Sequence, residues 1–170
     1  MIILISAIGQ NNEIGLNNKL LWKQKSDMKR FKELTTNNIV VMGLNTFKSL
    51  DSKPLKDRIN VVLSNEKIDA PNVLVYDNFN ELLKFCEYHK DKKVFIIGGQ
   101  AIYNLFIRYA DLMYITRVEA KFEADTFFPK IDTTIWDSTI VDYYQEDEIN
   151  KENDDNPFSY LIYRRIWKQK

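Results

Sequence analysis

The chain has 170 residues, 45% of them apolar and 28% charged, the balance of a soluble globular domain long enough to bury a core. Lysine plus arginine equals aspartate plus glutamate at 24 each, so no global field selects nucleic acid or an anionic membrane as partner. A single cysteine, Cys86, excludes an internal disulfide and a cysteine metal cluster, and a single histidine, His89, argues against a histidine metal site or a Ser/His/Asp triad. No metal is expected, and the expected location is the cytoplasm.

Residues 2–8 (IILISAI) form a continuous apolar run, the mark of a strand buried on both faces. The run is too short to span a membrane and has no basic leader, so it reads as neither span nor signal. Residues 9–19 are polar and turn-rich, a long loop of the kind used as a lid or binding loop. The chemistry is expected in residues 20–35. There Ser26 reads as an N-cap, and Met28, Phe31 and Leu34 recur at helical spacing. Asp27 shares that stripe. Desolvation on an apolar face raises a carboxyl pKa, as proton transfer near neutrality requires. A first-turn acid also complements the positive end of a helix, and both readings stand at this level.

Residues 39–42 form a second buried strand, 43–46 a turn, 47–50 a short helix and 51–57 a loop. Strands follow at 59–64 and 73–76. Asn78 and Glu81 have capping-box spacing and open a helix with Phe79, Leu82, Leu83 and Cys86 inward; Cys86 reads as packing rather than nucleophile. A strand over 93–97 runs into Gly98-Gly99 and a helix with Ile102, Tyr103, Phe106 and Ile107 on its apolar side. A strand over 112–118 and a turn over 124–129 lead to a hairpin at 136–144 and 159–167. The acidic, Asn-rich residues 145–157 between its arms read as a solvated loop. The order predicts one α/β domain over 1–170. Its mostly parallel sheet of about eight strands ends in an antiparallel hairpin and carries about four helices on its two faces. Ligands bind beyond the carboxyl ends of such strands.

The five glycines, 9, 15, 43, 98 and 99, all follow inferred buried strands. Two strand–Gly–helix turns, at 43–46 and 98–101, could hold the two phosphates of a dinucleotide, because helix N-termini present free N–H groups. Ordinary turn formation explains any one of these glycines. Neither a G-x-G-x-x-G fingerprint nor a Walker A motif is present.

Ordered pieces along nearly the whole chain resemble dihydrofolate reductases. They are Ile14-Gly15-Leu16-Asn17-Asn18, the Trp22…Asp27…Phe31…Thr35 spacing and Val41-Met42-Gly43-x-x-Thr46-Phe47-x-Ser49. Further on come Val62-Leu63-Ser64, Ile97-Gly98-Gly99-x-x-Ile102-Tyr103, Tyr114-Ile115-Thr116 and Asp125-Thr126-x-Phe128-Pro129. The resemblance implies NADPH-dependent reduction of 7,8-dihydrofolate to tetrahydrofolate and binding of antifolates such as trimethoprim or methotrexate, in a monomer. It implies that Asp27, hydrogen-bonded to Thr116 and helped by a water near Trp22, binds the pterin and promotes protonation of its imine nitrogen. Ile5, Ala7, Met28, Phe31, Leu50, Leu55 and Ile97 would line the substrate pocket. Arg58, assisted by Lys32, would clasp the glutamate tail. Ala7, Ile14, Gly15, Asn18, Leu20, Gly43, Leu44, Asn45, Thr46, Leu63, Ser64, Asn65, Gly98, Gly99, Gln100, Ala101, Ile102 and Tyr103 would contact the cofactor. A cis Gly98–Gly99 bond and a lid over residues 9–21 are further implications.

Four positions depart from the family pattern. Leu44 and Ala101 stand where many or some members carry phosphate-gripping arginines, so a weaker preference for NADPH over NADH is expected. Asn45, Ser64, Asn65 and Lys67 are the remaining phosphate partners. Leu21 replaces a common proline before Trp22, and Leu20 a frequent methionine. Two other functions compete: a pyrimidine reductase of riboflavin synthesis on the same architecture, and a non-catalytic nucleotide-binding module. Neither calls for a carboxylate within the Trp22…Phe31 setting.

Overall fold

The computed structural model describes residues 1–166. In chain order the elements are β1 (Ile2–Ile8), β2 (Glu13–Gly15), α1 (Lys25–Thr35), β3 (Ile39–Gly43), α2 (Leu44–Ser49), β4 (Ile59–Leu63), β5 (Val73–Tyr76), α3 (Phe79–Tyr88), β6 (Val94–Gly98), α4 (Gln100–Phe106), β7 (Leu112–Val118), β8 (Thr126–Phe127), β9 (Trp136–Tyr144) and β10 (Phe158–Arg165). Eight strands form one sheet in the order β5-β4-β3-β6-β1-β7-β10-β9. Pairing is parallel from β5 to β7, and β10 runs antiparallel to both β7 and β9. The expected α/β architecture with its closing hairpin is therefore present. Trp167, expected at the end of the last strand, lies outside the described residues.

The apolar runs predict two-sided burial, and the packing delivers it. On one face Leu4, Val41, Val61 and Ile96 pack with Leu82 and Cys86 of α3 and Ile102 and Phe106 of α4. On the other, Ile3, Val40, Met42, Val62 and Phe95 pack with Phe47 of α2, joined by partly buried Ile5, Leu34 and Leu50. Asn78 caps α3, its Oδ1 accepting from the Glu81 N–H at 3.2 Å. Asn78→Ala is expected to cost about 1 kcal/mol and to lower Tm by about 2–4 °C, read by thermal unfolding.

Several local expectations are corrected. Helix α2 starts at Leu44, directly after Gly43, so 44–46 are helix rather than turn. The small sheet of β2 with β8 pairs three residues with two, too few to leave a periodic signal. Ser26 is not the cap of α1: Gln24 occupies that position and its side chain makes no cap bond. The stripe of α1 is only partly covered. Thr35 is its buried residue, Phe31 and Leu34 are half-buried, and Met28 is 53% exposed. Residues 145–157 are not simply solvated either, because Ile149 and Asp154 are buried and the loop hydrogen-bonds to the start of α1.

Candidate functional site

The strand order decides which loops meet. β3, β6 and β1 are neighbours, so Gly43, the Gly98-Gly99 pair and Gly9 lie at one sheet edge. Register brings Gly43 beside Leu63 and Met42 beside Gly98. The Gly98–Gly99 bond is cis, and Gly98 has φ 118°, a conformation that favours glycine. A Cβ on Gly43 would lie 3.0 Å from the Ile102 side chain, so a larger residue there would press on Ile102 of α4. Gly43 and Gly99 are the N-caps of α2 and α4 and provide no side-chain acceptor for the first amides. The starts of α2 and α4 meet at the sheet edge, where a Cβ on Gly99 would lie 3.6 Å from the Thr46 hydroxyl, and N–H groups at two such helix starts fit the paired phosphates of a dinucleotide.

Next to that edge, Asp27 stands on the first turn of α1. Its Oδ1 accepts from the Thr116 hydroxyl of β7 at 2.5 Å. Thr116 is itself held in register between Ala7 of β1 and Tyr160 of β10. Ile5, Asp27, Arg30, Phe31, Tyr114 and Thr116 line a common cavity, with Leu34 and Ile115 at its wall. Burial raises the Asp27 carboxyl above its ordinary value, opposed by the Thr116 hydrogen bond and the Arg30 charge and reinforced by Asp154. Strands β1 and β7, together with α1, form the walls around this half-buried carboxyl.

Of the other expected substrate residues, Ile5, Leu50, Leu55 and Ile97 share the apolar face that carries α2. Ala7 is half-buried at the end of β1, while Met28 and Lys32 are exposed on α1. Arg58 donates from Nη1 to the Thr35 hydroxyl at 3.2 Å. Its Nε is buried with no partner among the described residues, and burial lowers its pKa. A half-buried guanidinium with an unused donor has capacity for an anion. Trp22 packs its ring on Phe122, with centroids 5.1 Å apart.

Of the expected cofactor residues, Ile102 and Tyr103 are core side chains. Tyr103 donates to the Ile5 carbonyl at 2.8 Å. The Ser64 hydroxyl is engaged locally, accepting from the Glu66 N–H at 2.9 Å. Gln100 Oε1 accepts from the Phe127 N–H at 2.7 Å and so ties α4 to β8. Leu44, Thr46, Leu63 and Gly99 are half-buried along the edge, and Asn45, Asn65 and Ala101 are exposed. Around them an open groove is lined by Ser64, Asn65, Lys67, Glu66, Asp69 and Asp77; Glu66 also pairs with Lys48 at 3.7 Å.

In the expected lid, Ile14 is half-buried, Leu20 is 68% exposed, and Asn17 and Asn18 have positive φ. The Asn17 N–H donates to Asp125 at 3.0 Å, and Gly15 O accepts from the Asp125 N–H. Sequence reading missed Glu13, whose buried carboxylate accepts from the Asn11 and Phe122 N–H groups. It also missed Arg30, which lies one turn from Asp27 and stacks on Tyr160 at 3.8 Å. The spacing of three from Asp27 was a signal for Arg30; nothing local marked Glu13.

A family model described as dihydrofolate reductase matches residues 1–165. The chain is 32% identical over 148 residues to the dihydrofolate reductase of Haemophilus influenzae, covering 87% of this chain and 91% of that protein. It is 32% identical over 168 residues to the dihydrofolate reductase of Staphylococcus haemolyticus, covering 97% and 96%. Its fold is similar to that of the dihydrofolate reductase from Enterococcus faecalis complexed with NADP(H) and RAB-propyl. That match has a TM-score of 0.86 and 30% identity, and covers 98% of this chain and 97% of the other.

Proposed function

The chain belongs to the dihydrofolate reductase family, its reaction is the NADPH-dependent reduction of 7,8-dihydrofolate to 5,6,7,8-tetrahydrofolate, and we propose that Asp27 handles the proton. The observation that carries this role is the Asp27–Thr116 pair in a cavity whose apolar side is formed by Ile5, Phe31 and Leu34. Thr116 donates to one carboxylate oxygen and leaves the other without a protein partner among the described residues. That free oxygen can accept from the amino group and ring N–H of a pterin. Desolvation keeps the carboxyl's proton affinity high, so it can promote protonation of the imine nitrogen. Ile5, Phe31, Leu50 and Ile97 exclude water around the ring, and Arg58 takes the glutamate tail.

The cofactor, when bound, supplies the hydride. The amides that follow Gly43 and Gly99 would hold its phosphates, and the backbone at Gly98-Gly99 would allow it close approach. The rival readings are not favoured, because a nucleotide-binding module has no use for a desolvated acid beside that edge. The test is the oxidation of NADPH by the pure protein with dihydrofolate, with thermal protection by trimethoprim or methotrexate as a second measure. Absence of dihydrofolate-dependent oxidation defeats the proposal. No helix among the described residues is long and apolar enough to cross a membrane.

Discrimination between cofactors is expected to be narrow. No arginine lines the groove after β4, and Glu66, Asp69 and Asp77 place carboxylates there. The ratio of kcat/KM for NADPH over NADH is expected to stay within about tenfold, or ~1.4 kcal/mol. A ratio in the hundreds contradicts this.

A further inference from the structure

Helix α1 has no cap from its own flank, yet its first turn is held firmly. The holding groups come from the loop between β9 and β10. Buried Gln24 accepts at Oε1 from the Asp155 and Asn156 N–H groups, both at 3.0 Å, and donates from Nε2 to Asn156 O at 3.2 Å. Lys25 N–H donates to Asn153 O at 2.9 Å. Lys23 and Asp155 exchange two further bonds, at 2.9 and 2.8 Å. Within this clasp Asp154 is only 2% exposed. Its Oδ1 accepts from the Ser26 N–H at 3.0 Å and its Oδ2 from the Ser26 hydroxyl at 2.5 Å.

We propose that Asp154 is a positioning residue for the reductase reaction: it caps α1 through Ser26 from a distant loop and so fixes Asp27, the next residue, against Thr116. A carboxylate at that end also complements the helix dipole. The proposal rests on the proton-handling role of Asp27. Position and charge act together, because the carboxylate that holds Ser26 also adds a like charge near Asp27.

The groups that act on Asp27 come from every element around it. Arg30 on α1 is cationic and draws its proton affinity down, and the Thr116 hydroxyl of β7 does the same by hydrogen bonding. Tyr114 of β7 lines the same cavity. Tyr160 of β10 and Tyr103 of α4 have hydroxyls that burial pushes up, with the Asp27 charge adding to the effect. The Asp154 charge acts in the opposite direction to Arg30.

Two readouts test the proposal on the full chain. The first is carbon-13 titration of the Asp27 carboxyl in the ligand-free protein. The second is the pH profile of kcat with dihydrofolate and NADPH. Asp154→Asn keeps an oxygen acceptor for the Ser26 N–H but removes the charge. It is expected to move both midpoints to lower pH by about half a unit or more, as loss of a nearby like charge does, with the KM for dihydrofolate unchanged within about twofold. Asp154→Ala also removes the cap and is expected to lower kcat below that of Asp154→Asn on the plateau. Where Asp154→Ala fails to fold, the Asn variant decides by itself. Midpoints identical to the parent in both readouts, with only Tm reduced, overturn the proposal and leave Asp154 a structural cap. A parent chain without dihydrofolate-dependent turnover defeats the functional reading itself, and the carbon-13 titration distinguishes that failure from failure of the Asp154 assignment.

Discussion

Asp27→Asn is expected to lower kcat at pH 7 by about 10²–10⁴-fold, the usual contribution of a positioned acid–base group. The amide keeps the shape of the side chain and can still accept from Thr116, so the fold survives. It neither carries nor attracts a proton. The residual rate should rise as pH falls, because solvent then protonates the imine without help. Turnover measured across a pH series reads both effects, and a variant as fast as the parent at neutrality contradicts the role given to Asp27.

The same substitution makes a stability prediction of opposite sign. Burial raises the Asp27 pKa in the folded state. Between its ordinary value and the raised one, the folded protein binds more protons than the unfolded chain. Stability therefore falls as pH rises through that window and is level above it. Asp27→Asn has no such loss, so at pH 7 its Tm should exceed that of the parent, at about 1.4 kcal/mol for each unit of raised pKa. The two melting curves should converge in acid, where Asp27 is protonated in both states. An active-site group that weakens the fold it belongs to is common where activity requires a strained or desolvated site.

Arg58→Leu should raise the KM for dihydrofolate by about 30- to 1000-fold, corresponding to ~2–4 kcal/mol for a guanidinium–carboxylate contact desolvated by the bound substrate. kcat should change little. The glutamate tail lies away from the reacting ring, so its contact stabilises ground state and transition state alike. The fold should tolerate the change, because Arg58 makes one side-chain hydrogen bond, to Thr35, and its buried Nε has no partner among the described residues. Removing an unsatisfied buried donor offsets the lost bond. Steady-state kinetics at saturating NADPH decide the matter. An unchanged KM removes Arg58 from the substrate site, and a fall in kcat with constant KM moves it to the chemistry.

Most element types were legible because the signals act over a few residues. The apolar run of β1, the cap Asn78 ahead of α3 and the Gly98-Gly99 break after β6 each record a local backbone requirement. Asp27 was legible for the same reason: an acid in the first turn of an amphipathic stretch is out of pattern by local periodicity. The false cap at Ser26 shows the limit of such reading. A serine before an apolar repeat is a good N-cap in isolation. Here Asp154, 128 residues away, takes the Ser26 N–H, and the helix starts one residue earlier at Lys25. Residues 145–157 misled in the opposite direction, since acidic composition reports solvation only until a specific partner accepts the charge.

By itself, then, the order of residues determined the succession of strands and helices, the glycine-bearing strand ends and the acid at the head of α1, because each rests on preferences between near neighbours in the chain. Tertiary structure alone decided that β3, β6 and β1 lie side by side, that Thr116 faces Asp27, that Arg58 has an unused donor, and that a loop near the C-terminus closes the first turn of α1. Those outcomes depend on which distant segments pack together, and the free energy of packing is set by buried area and satisfied polar groups across the whole molecule.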